Sequence, residues 1–156
     1  MSLFTFLAAD YPLPVLDLTG LVTMKVKDIK KMDPLPSGPV PWDELDDELD
    51  VRYTANKSAM DYLQIAVCKY PPDGLDAYIR KPYIYWVGGS FNPTCREQLF
   101  TYLKDQLPHA SPVELWSILF GQGIQVIESV EVELMNITAA DLEWIEQGPC
   151  RCMVLI

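Results

Sequence analysis

Residues 83–120 decide the fold, and they read YIYWVGGSFNPTCREQLFTYLKDQLPHASPVELWSILF. The aromatic and β-branched start is typical of a strand, which Gly88-Gly89 ends. Thr94 followed by Glu97 predicts a capping box at the start of a helix. The apolar residues that recur at helical spacing and define its buried face are Leu99, Phe100, Leu103 and Leu107. Pro108 ends this helix, and Val113–Phe120 is predicted as the next strand.

The chain continues from this stretch with the same regularity. Residues 124–134 alternate apolar and polar side chains, which predicts a strand with one wet face. Thr138 is a predicted N-cap of a short helix that Gly148 stops, and residues 150–156 are apolar and strand-like. From Tyr83 onward the order is therefore β-α-β-β-α-β, which predicts a ferredoxin-like unit. The expected class is α+β, with a mainly antiparallel sheet and two helices.

Such a unit leaves one face of its sheet open, and this sheet is apolar on both sides. Leu115 and Leu119 face one way, while Trp116, Ile118 and Phe120 face the other. Soluble monomers seldom expose a large apolar patch. We therefore expect the N-terminal half to cover the open face; the alternative is a second copy of the chain, which would make a homodimer.

The N-terminal half is expected to be irregular. Residues 1–57 are proline-rich, with short strands predicted at Leu3–Ala8 and Leu21–Val26 and a loop at 33–50. Residues 60–156 form the regular core. Because 156 residues is an ordinary size for one domain, we predict a single α+β domain over residues 1–156.

The net charge of −10 excludes some classes of partner. Seven acids and no Lys or Arg lie between Asp33 and Asp50, and the rest of the chain carries 15 acids against 12 bases. Nucleic acids and anionic membrane surfaces both require a basic surplus, so neither is expected as a partner. No signal-peptide pattern is found at the N-terminus, which predicts a cytoplasmic location.

The four cysteines are expected to be reduced in that compartment. Cys150 and Cys152 would project from the same face of a strand, which is poor disulfide geometry. The sequence has no C-x-x-C pair and only one histidine, His109. We therefore predict no metal site and no cofactor.

The turn between the first predicted strand and the helix is the best candidate for a chemical site. Its residues with polar or reactive side chains are Ser90, Asn92, Thr94, Cys95 and Arg96. A helix start can hold an anion and can lower the pKa of a thiol there. The favoured interpretation is a capped helix start with an incidental cysteine, because no phosphate-loop pattern is present. His109 would lie ~20 Å from Cys95, too far to act as its base.

The acidic stretch is the candidate protein-binding surface, with Trp42 as an anchor. Its candidate contact residues are Trp42, Asp43, Glu44, Asp46 and Asp47. A solvated loop that aids solubility explains the same composition equally well. Calcium binding is disfavoured because the EF-hand spacing and its glycine are missing.

Two segments carry a resemblance to known proteins. The opening FTFLAADYPLP at residues 4–14 and PVELW at residues 112–116 are similar to a family of small uncharacterised bacterial proteins. This resemblance implies no activity. The small, acidic, tryptophan-containing composition is also similar to that of immunity proteins of bacterial toxin systems.

The favoured hypothesis is a non-enzymatic interaction module with an acidic surface for a basic protein partner. It depends on the acidic stretch and on the lack of a catalytic arrangement of residues. The alternative is a small-ligand or anion-binding protein, or a thiol enzyme, that uses the turn at residues 90–96.

Overall fold

The computed structural model describes residues 2–106 and 111–156. Leu107 and His109 lie outside this part of the chain, so the predictions made for them have no counterpart in the structure. The strands are β1 (Ser2–Ala9), β2 (Leu16–Asp17), β3 (Val22–Lys25), β4 (Asp50–Tyr53), β5 (Gln64–Val67), β6 (Tyr83–Gly88), β7 (Val113–Phe120), β8 (Glu128–Val132) and β9 (Cys150–Leu155). The α-helices are α1 (Val26–Ile29) and α2 (Pro93–Gln106).

The chain divides into two compact units. The first, called here the sheet unit, contains the residues up to Leu18 and Asp61–Ile156. The second, called the insert unit, is Thr19–Met60. The boundary expected near residue 60 coincides with the end of the insert unit, whereas residues 2–18 pack with the C-terminal part of the chain.

The sheet unit contains a seven-stranded sheet in the order β2-β5-β6-β1-β7-β9-β8. All neighbouring strands are antiparallel except β8 and β9, which are parallel. The α+β class and the mainly antiparallel sheet are confirmed.

β1 lies inside this sheet, and this corrects the prediction that the N-terminal half covers it. Phe6 of β1 lies opposite Trp86 of β6 on one side and Trp116 of β7 on the other. The last five residues of the strand, 5–9, are all buried. A strand with apolar side chains on both faces is best shielded from water in the middle of a sheet that is covered on both sides. This explains the central position of β1.

The strand order also differs from the predicted ferredoxin-like one. That unit requires β6, β7, β8 and β9 to form one contiguous antiparallel sheet. Here β1 separates β6 from β7, and β8 pairs in parallel with β9 at the edge. The structure therefore does not confirm the ferredoxin-like order for residues 83–156.

One face of the sheet is covered by α2 and by a 3-10 helix, Ala139–Glu146. Leu99, Leu103 and Leu142 are fully or almost fully buried between these helices and the sheet. At the predicted N-cap, the Thr138 amide donates a 2.7 Å hydrogen bond to Asp141 Oδ2. The sequence thus locates both helices, although the second is a 3-10 helix.

The opposite face is covered from within the sheet unit. Leu75, Tyr78 and Ile79, on and after the 3-10 helix Leu75–Ala77, are buried in one cluster with Phe6 and Trp116. The Tyr78 hydroxyl accepts a 2.8 Å hydrogen bond from the Gln125 amide, which ties this cover to the next loop. This cover does not come from the N-terminal half as expected. Phe4 and Phe120 stay partly exposed on the same face, and the homodimer alternative stays a prediction.

The insert unit is built on β3 and β4, which pair antiparallel with Val22 opposite Tyr53. The first turn of α1 lies beside the acidic stretch, because the Lys27 amide donates a 3.0 Å hydrogen bond to the Asp47 carbonyl. Val26 and Ile29 of α1 are fully buried. This arrangement places Lys27 of α1, with Lys25 before the helix and Lys30 after it, next to the acids at residues 47–50.

Candidate functional site

The turn at residues 90–96, which was the candidate anion site, leads into α2, but the helix has a different N-cap from the predicted one. α2 starts at Pro93, so Asn92 and not Thr94 is the N-cap. Asn92 Oδ1 accepts a 2.9 Å hydrogen bond from the Cys95 amide, and Pro93 has no amide to donate. Two of the groups that would face an anion at this helix start are therefore already used or absent.

Ser90 and Arg96 each donate one hydrogen bond to a nearby backbone carbonyl, whereas Arg96 Nε is buried without a hydrogen-bond partner. The Ser90 amide donates a 3.1 Å hydrogen bond to the Asp61 carbonyl. Arg96 Nη1 donates a 2.6 Å hydrogen bond to the Phe91 carbonyl. Burial raises the pKa of Glu146, and the charge of Arg96 opposes that rise. The Arg96 guanidinium therefore already interacts electrostatically with one carboxylate of the protein. The structure places the five predicted residues in one turn, where Ser90, Asn92, Cys95 and Arg96 take part in internal hydrogen bonds and Thr94 is exposed.

Cys95 is fully buried, with Sγ 4.0 Å from the Gly88 carbonyl oxygen. Desolvation raises the pKa of this thiol, which outweighs the opposing hydrogen bond from the Phe91 backbone. The direction is opposite to the lowered pKa expected for a reactive thiol at a helix start. A neutral, inaccessible thiol is a poor nucleophile.

Cys95 is therefore expected to resist alkylation in the native protein. Cys68, which is partly exposed, is the internal reference. Iodoacetamide labelling near neutral pH, followed by peptide mass spectrometry, should modify Cys95 at least ~100-fold more slowly than Cys68, because labelling requires local opening. Labelling of Cys95 as fast as Cys68 would restore the thiol-enzyme hypothesis.

The acidic stretch of the insert unit is only partly available to a partner. Asp47 Oδ1 lies 2.6 Å from Lys30 Nζ, Glu48 Oε1 lies 2.9 Å from Lys27 Nζ, and Asp50 Oδ1 lies 3.3 Å from Lys25 Nζ. The hydrogen bonds from Lys30 and Lys27 lower the pKa of Asp47 and of Glu48, respectively. These acids are thus compensated within the unit.

Trp42 is held by its own loop. Its Nε1 donates a 2.7 Å hydrogen bond to the Pro36 carbonyl. A Cβ on Gly38 would lie 2.9 Å from the Trp42 ring, so the glycine lets the backbone approach the indole closely. The exposed part of the ring is consequently presented in a fixed orientation.

Asp43, Glu44 and Asp46 differ from Asp47, Glu48 and Asp50, which pair with lysines. All three are exposed, and the ion pairs found in the described part of the chain do not include them. Asp46 Oδ1 accepts a 2.9 Å hydrogen bond from the Glu48 amide, which fixes its carboxylate. We call these three residues the acidic triplet.

A groove in the sheet unit was not predicted. It has a volume of about 490 Å³ and lies between residues 14–18 and α2. Val15 and Leu18 supply exposed apolar surface, and Glu97 and Asp105 supply carboxylates. No local sequence pattern predicts it, because the groove depends on contacts between segments about 80 positions apart.

Across residues 2–106 and 111–156, no three His, Cys, Asp or Glu side chains are arranged to hold a metal ion. Within the same ranges, none of the helices has the length and apolar character that spanning a bilayer demands.

Comparisons with protein-family models, with curated proteins and with solved structures find no match to this chain.

Proposed function

We propose that this chain is a non-enzymatic protein-binding module, in which the acidic triplet and Trp42 bind a basic segment of a partner protein. The observation that carries the proposal is that the acidic stretch contains both carboxylates in direct ion pairs with lysine and carboxylates outside such pairs. Asp47, Glu48 and Asp50 have lysine partners, whereas Asp43, Glu44 and Asp46 are exposed outside the ion pairs of the described residues.

The physical basis of recognition is electrostatic. Exposed carboxylates attract a basic partner over about a Debye length, ~8–10 Å at physiological salt, and increase its rate of association. The fixed indole of Trp42 offers a flat apolar surface beside them, and cations stack favourably on such rings. The expected interaction is fast, salt-sensitive and dominated by lysine or arginine on the partner.

The proposed location is the bacterial cytoplasm, where four unpaired thiols are stable. Self-association is the alternative mode of binding. It is supported by Phe4 and Phe120 on the sheet, which are only partly buried although they pack against each other at 6.0 Å. The small-ligand alternative at residues 90–96 has less support, because the Cys95 amide is bonded to Asn92 and Arg96 Nη1 is bonded to the Phe91 carbonyl.

Neutralising the acidic triplet is expected to weaken capture of a basic partner about tenfold, since three exposed charges each contribute modestly. The variant is Asp43→Asn with Glu44→Gln and Asp46→Asn; Asp47 is left intact because it pairs with Lys30. Tagged wild-type and variant proteins would be incubated with a bacterial lysate, and bound proteins quantified by mass spectrometry.

The matched control removes the same number of charges elsewhere. Asp73→Asn, Glu131→Gln and Glu143→Gln change three exposed acids of the sheet unit. The proposal predicts that one basic protein is retained by the control and lost by the triplet variant, with capture falling as salt rises. If both variants retained the basic protein equally, the acidic triplet would not be its binding surface.

A further inference from the structure

The groove along α2 has the dimensions and lining of a binding site. Its volume of about 490 Å³ lies within the ~300–1,000 Å³ range of ligand pockets. It lies entirely in the sheet unit, so it is separate from the acidic triplet of the insert unit.

We propose that this groove binds an extended segment of a partner protein in which two basic side chains flank one apolar side chain. The proposal goes beyond the function proposed above, because it names a second site and the pattern of residues that would fill it. Apolar surface, charge and spacing each support it.

The apolar wall of the groove is unusually exposed. Val15 is 63% exposed and Leu18 is 39% exposed, and both line the groove. Removing such surface from water contributes roughly 25 cal/mol per Å². An apolar side chain in the groove would therefore be stabilised without any rearrangement of the core.

The charged side chains that line the groove are all negative. Glu97 and Asp105 line it, and the lining contains no Lys or Arg. The two cations of α2 are engaged elsewhere, since Lys104 Nζ lies 4.4 Å from the centre of the Phe100 ring and Arg96 bonds to the Phe91 carbonyl. A basic occupant is complementary to this surface, and an acidic one is repelled.

The spacing of the carboxylates defines the occupant further. Glu97 and Asp105 are two turns apart on α2, or ~12 Å at 1.5 Å per residue. An extended peptide advances ~3.3 Å per residue, so positions i and i+4 span about the same distance. Positions i, i+2 and i+4 of an extended chain share one face. A basic-x-apolar-x-basic segment therefore places its three side chains toward the groove together.

The wall opposite α2 is held in place before any ligand arrives. The Tyr102 hydroxyl donates a 2.6 Å hydrogen bond to the Pro14 carbonyl, and the Tyr85 hydroxyl accepts a 2.9 Å bond from the Leu13 amide. Burial raises the pKa of Tyr102, so its hydroxyl stays protonated and remains a donor. A preformed groove avoids an ordering cost on binding.

The test uses three synthetic peptides with blocked ends, followed by amide chemical shifts of the full-length protein. Lys-Ser-Leu-Ser-Lys is the probe, Lys-Ser-Ser-Ser-Lys lacks the apolar residue, and Glu-Ser-Leu-Ser-Glu reverses the charge. We expect the probe to bind with a Kd of ~0.1–1 mM, as short flexible peptides do. The peptide without leucine should bind at least about fivefold more weakly, and the acidic peptide should not bind.

Variants locate the binding. Glu97→Gln with Asp105→Asn, and separately Val15→Ser with Leu18→Ser, should each weaken the probe about fivefold or more. Glu131→Gln with Glu143→Gln makes the same charge change as the first pair outside the groove and should change the Kd less than twofold. All of these residues are at least partly exposed, and circular dichroism checks that each variant is folded.

The outcomes separate this site from the acidic triplet. Unchanged probe binding by the triplet variant, with loss in the groove variants, supports the groove. Equal weakening by the groove and control charge variants would overturn it, since binding would then follow net charge alone. Concentration-dependent dimerisation in sedimentation that Val15→Ser with Leu18→Ser abolishes would also overturn it, and would assign the groove to a second copy of the chain.

Discussion

Phe6→Ala is expected to lower the free energy of unfolding by about 3–5 kcal/mol, the usual cost of removing a buried phenylalanine. Phe6 is fully buried in the middle of the sheet, and its ring lies 4.8 Å from that of Trp86. At this chain length such a loss corresponds to a decrease in Tm on the order of 10 °C. Thermal unfolding followed by circular dichroism measures it.

A residue on the same strand provides the control. Leu3 is 42% exposed, so Leu3→Ala should cost less than about 1 kcal/mol. If Phe6→Ala does not fold, Phe6→Leu keeps most of the apolar volume and should still cost about 1–1.5 kcal/mol. Similar, small effects at Phe6 and Leu3 would mean that β1 does not form the centre of the sheet.

Gly89→Ala is expected to be the second large effect, with a loss of roughly 3 kcal/mol or more. Gly89 has a φ of +113°, where an L side chain is strained by about 1–3 kcal/mol. A Cβ there would also lie 2.7 Å from Cys95 Sγ, 3.0 Å from the Tyr62 carbonyl oxygen and 3.1 Å from that of Asp61. Two of these neighbours are backbone atoms that cannot move aside easily.

A substitution at Gly74 measures the cost of backbone strain without the cost of close contacts. Gly74 has a φ of +89°, and nothing lies within 4 Å of a Cβ built on it. Gly74→Ala should therefore cost about 1–2 kcal/mol from backbone strain alone. Adding Cys95→Ala to Gly89→Ala should recover part of the lost stability at the Sγ contact. Denaturant unfolding that gives equal losses for the two glycine variants would contradict the close packing described around Cys95.

The sequence predicted the elements of the fold better than their pairing. Hydrophobic alternation and capping residues are local signals, so β6, β7 and α2 were located within a few residues of their observed ends. Strand order depends on contacts between distant segments, which periodicity does not contain. The useful signal at β1 was that Phe6 and Leu7, on opposite faces, are both large and apolar. That pattern is typical of a central strand rather than of a cover.

The cover of the second face was missed for a similar reason. Residues 71–74 read Pro-Pro-Asp-Gly, a composition typical of a turn. The residues that follow have Leu75, Tyr78 and Ile79 at i, i+3 and i+4, which is the spacing of one turn of apolar helical surface. This short pattern identifies a segment that must bury one side, but it does not indicate which sheet face receives it.

The candidate sites illustrate the same limit. Composition alone located the acidic stretch, but it treated Asp43 and Asp47 as equivalent. The pairing of Asp47 with Lys30 depends on α1 lying beside residue 47, and this contact distinguishes the two acids. Cys95 was predicted at a helix start, yet its burial under the sheet-to-helix turn raises its pKa.

Zero-length crosslinking of hexalysine to the full-length protein tests whether the acidic triplet is the surface that binds basic segments. A carbodiimide joins lysine amines only to carboxylates in contact with them, and mass spectrometry identifies the joined residues. If the acidic triplet binds basic segments, crosslinks should concentrate on Asp43, Glu44 and Asp46. They should disappear at high salt, because salt screens the attraction between exposed charges. Crosslinks distributed evenly over exposed acids such as Asp73, Glu131 and Glu143 would contradict that prediction.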